Sequence, residues 1–184
     1  MAAKRKQGKW TAGQIEEHVQ RIQKAIKTYK RKDKNWQIAA ITPEQIRKKL
    51  TRVNSPILTF HGWNSQPANG KIHIDLGVDN PDPTAVTDLY VLIWVGTGYA
   101  DPTPGTYLLN VDTRFPRLVQ PNIVGAASFG LILAAGTSTI LHFDLPVAST
   151  VPKTNYITNI CLMHLPAFDD PLLLDRSVLA FNVP

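Results

Sequence analysis

Apolar residues recur at helical spacing near the start of the chain and at strand spacing further on. Ile15, Val19, Ile22, Ile26 and Tyr29 follow one another at intervals of 4, 3, 4 and 3, which lays them along one helical stripe. Arg21, Lys24, Lys27, Lys30 and Arg31 fill other positions around that helix. Thr11 followed by Gln14 is a capping-box pattern, in which the hydroxyl accepts a first-turn amide and the glutamine reaches back. It predicts a helix over 12–32. Thr42-Pro43-Glu44-Gln45 starts a second helix over 43–53, with an N-cap, a proline where a missing N–H does no harm, and an acid on the helix dipole. Ile46, Leu50 and Val53 give it a short stripe of its own. The sequence KRKDK at 30–34 and Trp36 read as a basic link between the two helices.

From residue 72 onward the pattern changes. Ile72, Ile74, Leu76 and Val78 alternate with His73, Asp75 and Gly77, the signature of a strand with one buried face. Asn80-Pro81-Asp82-Pro83 must end it, because proline removes donors and restricts the residue before it. Leu89 to Val95 is apolar on both faces, as a central strand would be. Thr106 to Val111, Phe129 to Leu133, Thr137 to Leu145, Tyr156 to Met163 and Ser177 to Val183 supply further strands, with Ala134-Ala135-Gly136 as a short turn. Short strands at such spacing predict a mainly β chain folded as an antiparallel β-sandwich, preceded by a basic helical extension.

Charge divides at the same place. Residues 1–54 carry 15 Lys or Arg against four acids, a net +11, and residues 55–184 carry five against ten, a net −5. Pro43 is the only proline before residue 55, and 13 follow it. The reading is therefore a basic helical arm, 1–54, and a sandwich, 55–184. No apolar run approaches the roughly 18 residues of a membrane span, and the first 35 residues lack the apolar core of a secretory signal. A cytoplasmic location, or one inside a particle assembled within the cell, is expected.

The segments IHIDLGVDNPDPTAVTDLYVLIWV (72–95), LILAAGTSTILHFDLPV (131–147), NYITNICLMHLP (155–166) and LDRSVLAFNV (174–183) resemble the bacterial CARDB-type immunoglobulin-like β-sandwich. Asn80 stands at that family's turn after the first long strand, Leu133 and Gly136 at its L-x-x-G turn, and Asn182 at the close of its last strand. The resemblance implies an immunoglobulin-like fold over 57–183 and a non-catalytic module for protein or surface association. The stretch from Gly96 to Ser128 is long for a connection within such a sandwich.

No catalytic motif stands out. Cys161 and His164 have C-x-x-H spacing, but Ile157 to Met163 reads as a buried strand, where cysteine behaves as a small apolar residue. His142 and Asp144 share one strand face and read as polar surface; Asp79, Asp82 and Asp88 read as turn formers rather than calcium ligands. No metal and no cofactor is expected. The arm then decides the function. In the first reading the protein is non-enzymatic and structural: the stripe of Ile15, Val19, Ile22, Ile26 and Tyr29 docks against protein, while Arg21, Lys24, Lys27, Lys30, Arg31, Lys32 and Lys34 meet acidic faces. The partners are further copies of this chain or other subunits of an assembly. In the alternative, a small coat-like protein, the same cations neutralise the phosphates of nucleic acid and Trp10, Tyr29 and Trp36 stack on its bases.

Overall fold

The computed structural model describes residues 10–31, 33–51, 56–96, 107–110, 117–119, 131–147, 149, 151–164 and 172–184. Helix α1 spans Ala12–Thr28 and begins with the expected capping box: the Gln14 amide donates to Thr11 Oγ1 at 3.2 Å, and Thr11 N–H donates to Gln14 Oε1 at 2.9 Å. It stops short of residue 32 because Tyr29 turns extended, with φ −66° and ψ 124°. Helix α2, Pro43–Thr51, carries the same reciprocal cap at Thr42 and Gln45. Its expected continuation to residue 53 lies outside the described residues, as does Lys32.

Between the helices Trp36 is not part of the basic link but opens a strand. Trp36–Ala40 is strand β1, entered through Asn35 in the left-handed region at φ 59°, which asparagine tolerates better than most residues. The other strands are β2 (Ile57–Asn64), β3 (Lys71–Asn80), β4 (Val86–Gly96), β5 (Tyr107–Asn110), β6 (Arg117–Val119), β7 (Leu131–Leu133), β8 (Thr137–Pro146), β9 (Asn155–His164) and β10 (Leu172–Asn182). They build two antiparallel sheets. One has four strands in the order β1-β2-β3-β8; the other has six, in the order β10-β9-β4-β5-β6, with β7 also paired to β4. The chain is mainly β, with helix ahead of the sheets.

The core lies between the sheets. Ile72, Ile74, Leu76 and Val78 of β3, with Phe143 and Leu145 of β8, pack with Leu89, Val91, Ile93 and Val95 of β4, Ile160 and Leu162 of β9, and Leu179 and Phe181 of β10. A fully buried aliphatic side chain contributes on the order of 1.5–3 kcal/mol, so this alternation commits each strand to its register. Buried Asn80 joins the turn after β3 to the turn before β8: its Nδ2 donates to the carbonyls of Thr84, Leu133 and Ala134 at 3.0, 3.3 and 3.2 Å. Asn182 closes the last strand by donating to Asn155 Oδ1 at 2.9 Å.

A second, smaller core sits on the far side of the four-stranded sheet. Val19 and Ile22 of α1, Ile46 and Leu50 of α2, and Ile57 of β2 are buried together, with Ile15, Ile26 and Ile41 packed around them. The boundary expected at residues 54 and 55 therefore does not part the helices from the sandwich, since β1 is a strand of its sheet and both helices lie against it. Among the described residues no helix is long and apolar enough to cross a membrane.

Candidate functional site

The outward face of the four-stranded sheet determines which charges remain available. Period 2 turns His73, Asp75, Gly77 and Asp79 of β3 away from the main core, and the same holds for Ser138, His142 and Asp144 of β8. Most of this face is covered. Asp79 is fully buried, and its carboxylate accepts from Arg21 Nη2 at 2.8 Å, from Arg21 Nε at 3.3 Å and from the Ser138 hydroxyl. Asp75, 1% exposed, accepts from Arg31 Nη1 at 2.8 Å and from the Tyr29 hydroxyl, and its Oδ1 lies 2.7 Å from His142 Nδ1. Burial and the bond to Asp75 raise the pKa of Tyr29 above its usual value. Buried carboxylates require such partners, because an uncompensated charge in the interior costs several kcal/mol.

Glycine lets the aromatic rings come close. The Trp36 ring lies over Gly62 and the Phe60 ring over Gly77, where a β-carbon would stand 2.6 and 2.3 Å from the respective rings. Arg31 caps the Trp36 ring at 4.5 Å from its centroid, and Tyr29 packs on Phe60 with centroids 4.6 Å apart.

The stripe expected to dock against another protein is thus covered by this chain. Val19 and Ile22 are buried, Ile15 and Ile26 are half-buried beside them, and Tyr29 is held by Phe60 and Asp75. The cations divide into two groups. Arg21 and Arg31 pair with acids of β3, Arg47 of α2 pairs with Glu16 of α1 at 3.0 Å, and Lys49 pairs with Asp175 of β10. Lys24, Lys27, Lys30 and Lys34 are exposed and have no ion pair among the described residues. Lys24 and Lys27 share one outward face of α1, three residues apart.

Two further constellations were not singled out in the sequence. His73 and Asp144 pair across the ladder, as do Asp75 and His142, so two histidine–carboxylate contacts of 2.5 and 2.7 Å stand side by side. Burial pushes Asp144 upward, but the bond and charge of His73, then Lys71, outweigh it and hold this carboxyl below its ordinary value. The signal was present in the order His73-x-Asp75 facing His142-x-Asp144, and only strand pairing reveals it. Among the described residues no group of three or more His, Cys, Asp or Glu is arranged to hold a metal. Elsewhere, Ser177 Oγ of β10 lies 2.5 Å from His61 Nδ1 of β2, bridging the two sheets beside a cavity of about 140 Å³ that Lys49 and Arg176 also line. Burial lowers the pKa of His61. Among the described residues no carboxylate orients the other ring nitrogen, the group that would complete a nucleophilic triad. Cys161 is a buried strand residue whose thiol burial pushes upward.

No family model matches this sequence, and no curated protein does. Solved structures resemble it loosely. The C-terminal domain of wzt is 14% identical with a TM-score of 0.39, over 62% of this chain and 59% of that one. A Paenibacillus sp. cycloisomaltooligosaccharide glucanotransferase is 16% identical with a TM-score of 0.38, over 65% of this chain and 12% of that one. A Bifidobacterium adolescentis GH3 β-glucosidase is 15% identical with a TM-score of 0.38, over 70% and 17%. Likeness at this level carries no functional content.

Proposed function

We propose that this protein is a non-enzymatic structural or interaction protein that docks into a larger protein assembly through the basic face left open on its helical segment. The division of the cations carries this reading. Arg21, Arg31, Arg47 and Lys49 are engaged inside the chain, whereas Lys24, Lys27, Lys30 and Lys34 point to solvent from a segment fixed to the sheet. Charges displayed on a rigid element lose little freedom on binding, so they steer and register a partner efficiently. That partner presents an acidic protein surface; Asp75, Asp79, Asp144 and Asp175 of this chain already hold its own cations. The CARDB-type resemblance belongs to the same proposal.

A coat-like role on nucleic acid is served less well. Trp10 packs edge-on against His18, Tyr29 against Phe60, and Trp36 is held between Gly62 and Arg31, so the aromatics that would stack on bases are engaged within the fold. The test is fluorescence anisotropy with labelled poly-L-glutamate and with a single-stranded oligonucleotide of matched charge. We expect salt-sensitive binding to poly-L-glutamate that is lost in the Lys24→Glu/Lys27→Glu variant. Binding that ignores this charge reversal would sink the proposal, and binding confined to the oligonucleotide would favour the coat-like role.

A further inference from the structure

We propose that β1 is a self-pairing edge: two copies of this chain join antiparallel along Trp36–Ala40, so that one four-stranded sheet continues into the other. This deepens the assembly reading and rests on it, by naming one of the contacts as copy to copy.

The backbone of β1 makes the case. Its register against β2 is unbroken from Trp36↔Asn64 to Ala40↔Phe60. Asn35 C=O accepts from Ser65 N–H at 2.9 Å, and Ile41 N–H donates to Thr59 C=O at 3.0 Å. Because bonding residues alternate along an antiparallel ladder, the odd positions face β2, and Trp36, Ile38 and Ala40 turn their N–H and C=O groups the other way. Trp36 N–H is taken by Asp33 C=O at 3.2 Å. Among the described residues nothing pairs with the remaining groups on that side.

Such an edge is normally blunted by charge, proline, a bulge or a cover. Past Trp36, β1 carries no charge, proline or bulge, and among the described residues nothing covers it: its sequence is Trp-Gln-Ile-Ala-Ala, Gln37 to Ala40 are exposed, and Ile38 is 49% exposed. The edge strand β10 of the other sheet differs, carrying a register shift between Leu173 and Asp175 and the charges of Asp175 and Arg176.

A second copy fits this edge by symmetry. With a two-fold axis at Ala39, each Ile38 exchanges a reciprocal pair of bonds with Ala40 of the second copy. The Trp36–Asp33 bond stays intact. The exposed Ile38 of each copy lies beside Ala40 of the other, and the same register carries Lys34 of one copy toward Glu44 of the other. Lys34 and Glu44 are both exposed and have no ionic partner among the described residues, so the edge is complementary to itself in charge as well as in hydrogen bonding. Strands this short bury well under the roughly 1,200 Å² of a stable interface, so the dimer depends on concentration.

Sedimentation equilibrium of the full chain over a wide concentration range tests this. We expect a reversible monomer–dimer equilibrium that is lost in Ile38→Asn and Ala40→Pro, weakened in Lys34→Glu, and restored in Lys34→Glu/Glu44→Lys. Hydrogen exchange provides a readout on the unaltered chain: the Ile38 and Ala40 amides should gain protection as concentration rises, while those of Gln37 and Ala39 are protected throughout. Ile38→Asn should leave poly-L-glutamate binding unchanged, which separates failure of this edge from failure of the basic face. A dimer indifferent to Ile38→Asn overturns the proposal. Monomer at every concentration, with Ile38 and Ala40 exchanging freely, also overturns it and leaves the edge to a strand of another protein.

Discussion

The Phe60 ring on β2 lies directly on Gly77 of β3, where a β-carbon would stand 2.3 Å from two ring atoms and 2.6 Å from Thr59 Oγ1. Phe60 is itself buried at 4% exposure, so it cannot simply swing aside. Gly77→Ala is expected to destabilise the protein by about 1–3 kcal/mol, the usual range for overpacking. Phe60→Leu in the same chain should recover part of the loss. Urea denaturation midpoints check both, and an unchanged midpoint for Gly77→Ala would show that the ring does not press on this glycine.

Arg21 ties α1 to the sheet through two hydrogen bonds to Asp79. Removing the arginine leaves a fully buried carboxylate with the Ser138 hydroxyl as its remaining partner. Arg21→Ala should cost about 3 kcal/mol, the lower end for a broken buried pair, because the arginine side chain is 30% exposed and partly screened. Arg21→Ala with Asp79→Ala should cost less than the two single changes added together. Strict additivity in that double-mutant cycle would mean the pair is not coupled.

Ile22 is wholly buried where α1 meets α2 and Ile57. Truncation to Ala is expected to cost about 2–5 kcal/mol. Because the helices lie on the sheet and β1 belongs to it, circular dichroism and tryptophan fluorescence should report one coincident transition in both proteins. Helix melting ahead of the sheet would show that the first 54 residues behave as a separate unit.

Acid should weaken the fold through two histidines. Burial lowers the pKa of His61, and burial followed by the charge of Arg21 lowers that of His18. Below the ordinary histidine value of about 6.5 the unfolded chain therefore binds more protons than the folded one, so stability falls as pH drops from there. Urea midpoints at pH 7.5 and 5.5 should differ in that direction, and His61→Gln should reduce the difference. The depressed carboxyl of Asp144 acts in the same sense at lower pH, where its stabilising contribution is lost as it becomes protonated. A midpoint that is flat or rises toward pH 5.5 would contradict the assignment for the histidines.

Part of this fold was legible along the chain. Both helix starts were, because a capping box is satisfied within four residues whatever lies around it. The cores of β3, β4, β8 and β9 were legible through their apolar positions. β2 was hidden because the register shift between Leu58 and Phe60 breaks its alternation, sending Leu58 inward with Val78 and Phe60 outward with Gly77. β1 was hidden because five residues of mixed polarity show no period of their own.

Local chemistry and periodicity were enough to specify where the helices begin, which stripe of α1 is apolar, and that the body is built of antiparallel strands. Which surface covers that stripe was decided by packing, since a stripe requires an apolar neighbour but does not name one, and α2 with Ile57 supplies it here. Packing also decided which cations remain free. Arg21 and Lys24 are equally off the stripe in sequence, yet the lie of α1 across β3 buries one against Asp79 and leaves the other in water. A charge has a fixed place in the chain, but its partner is set by distance in space.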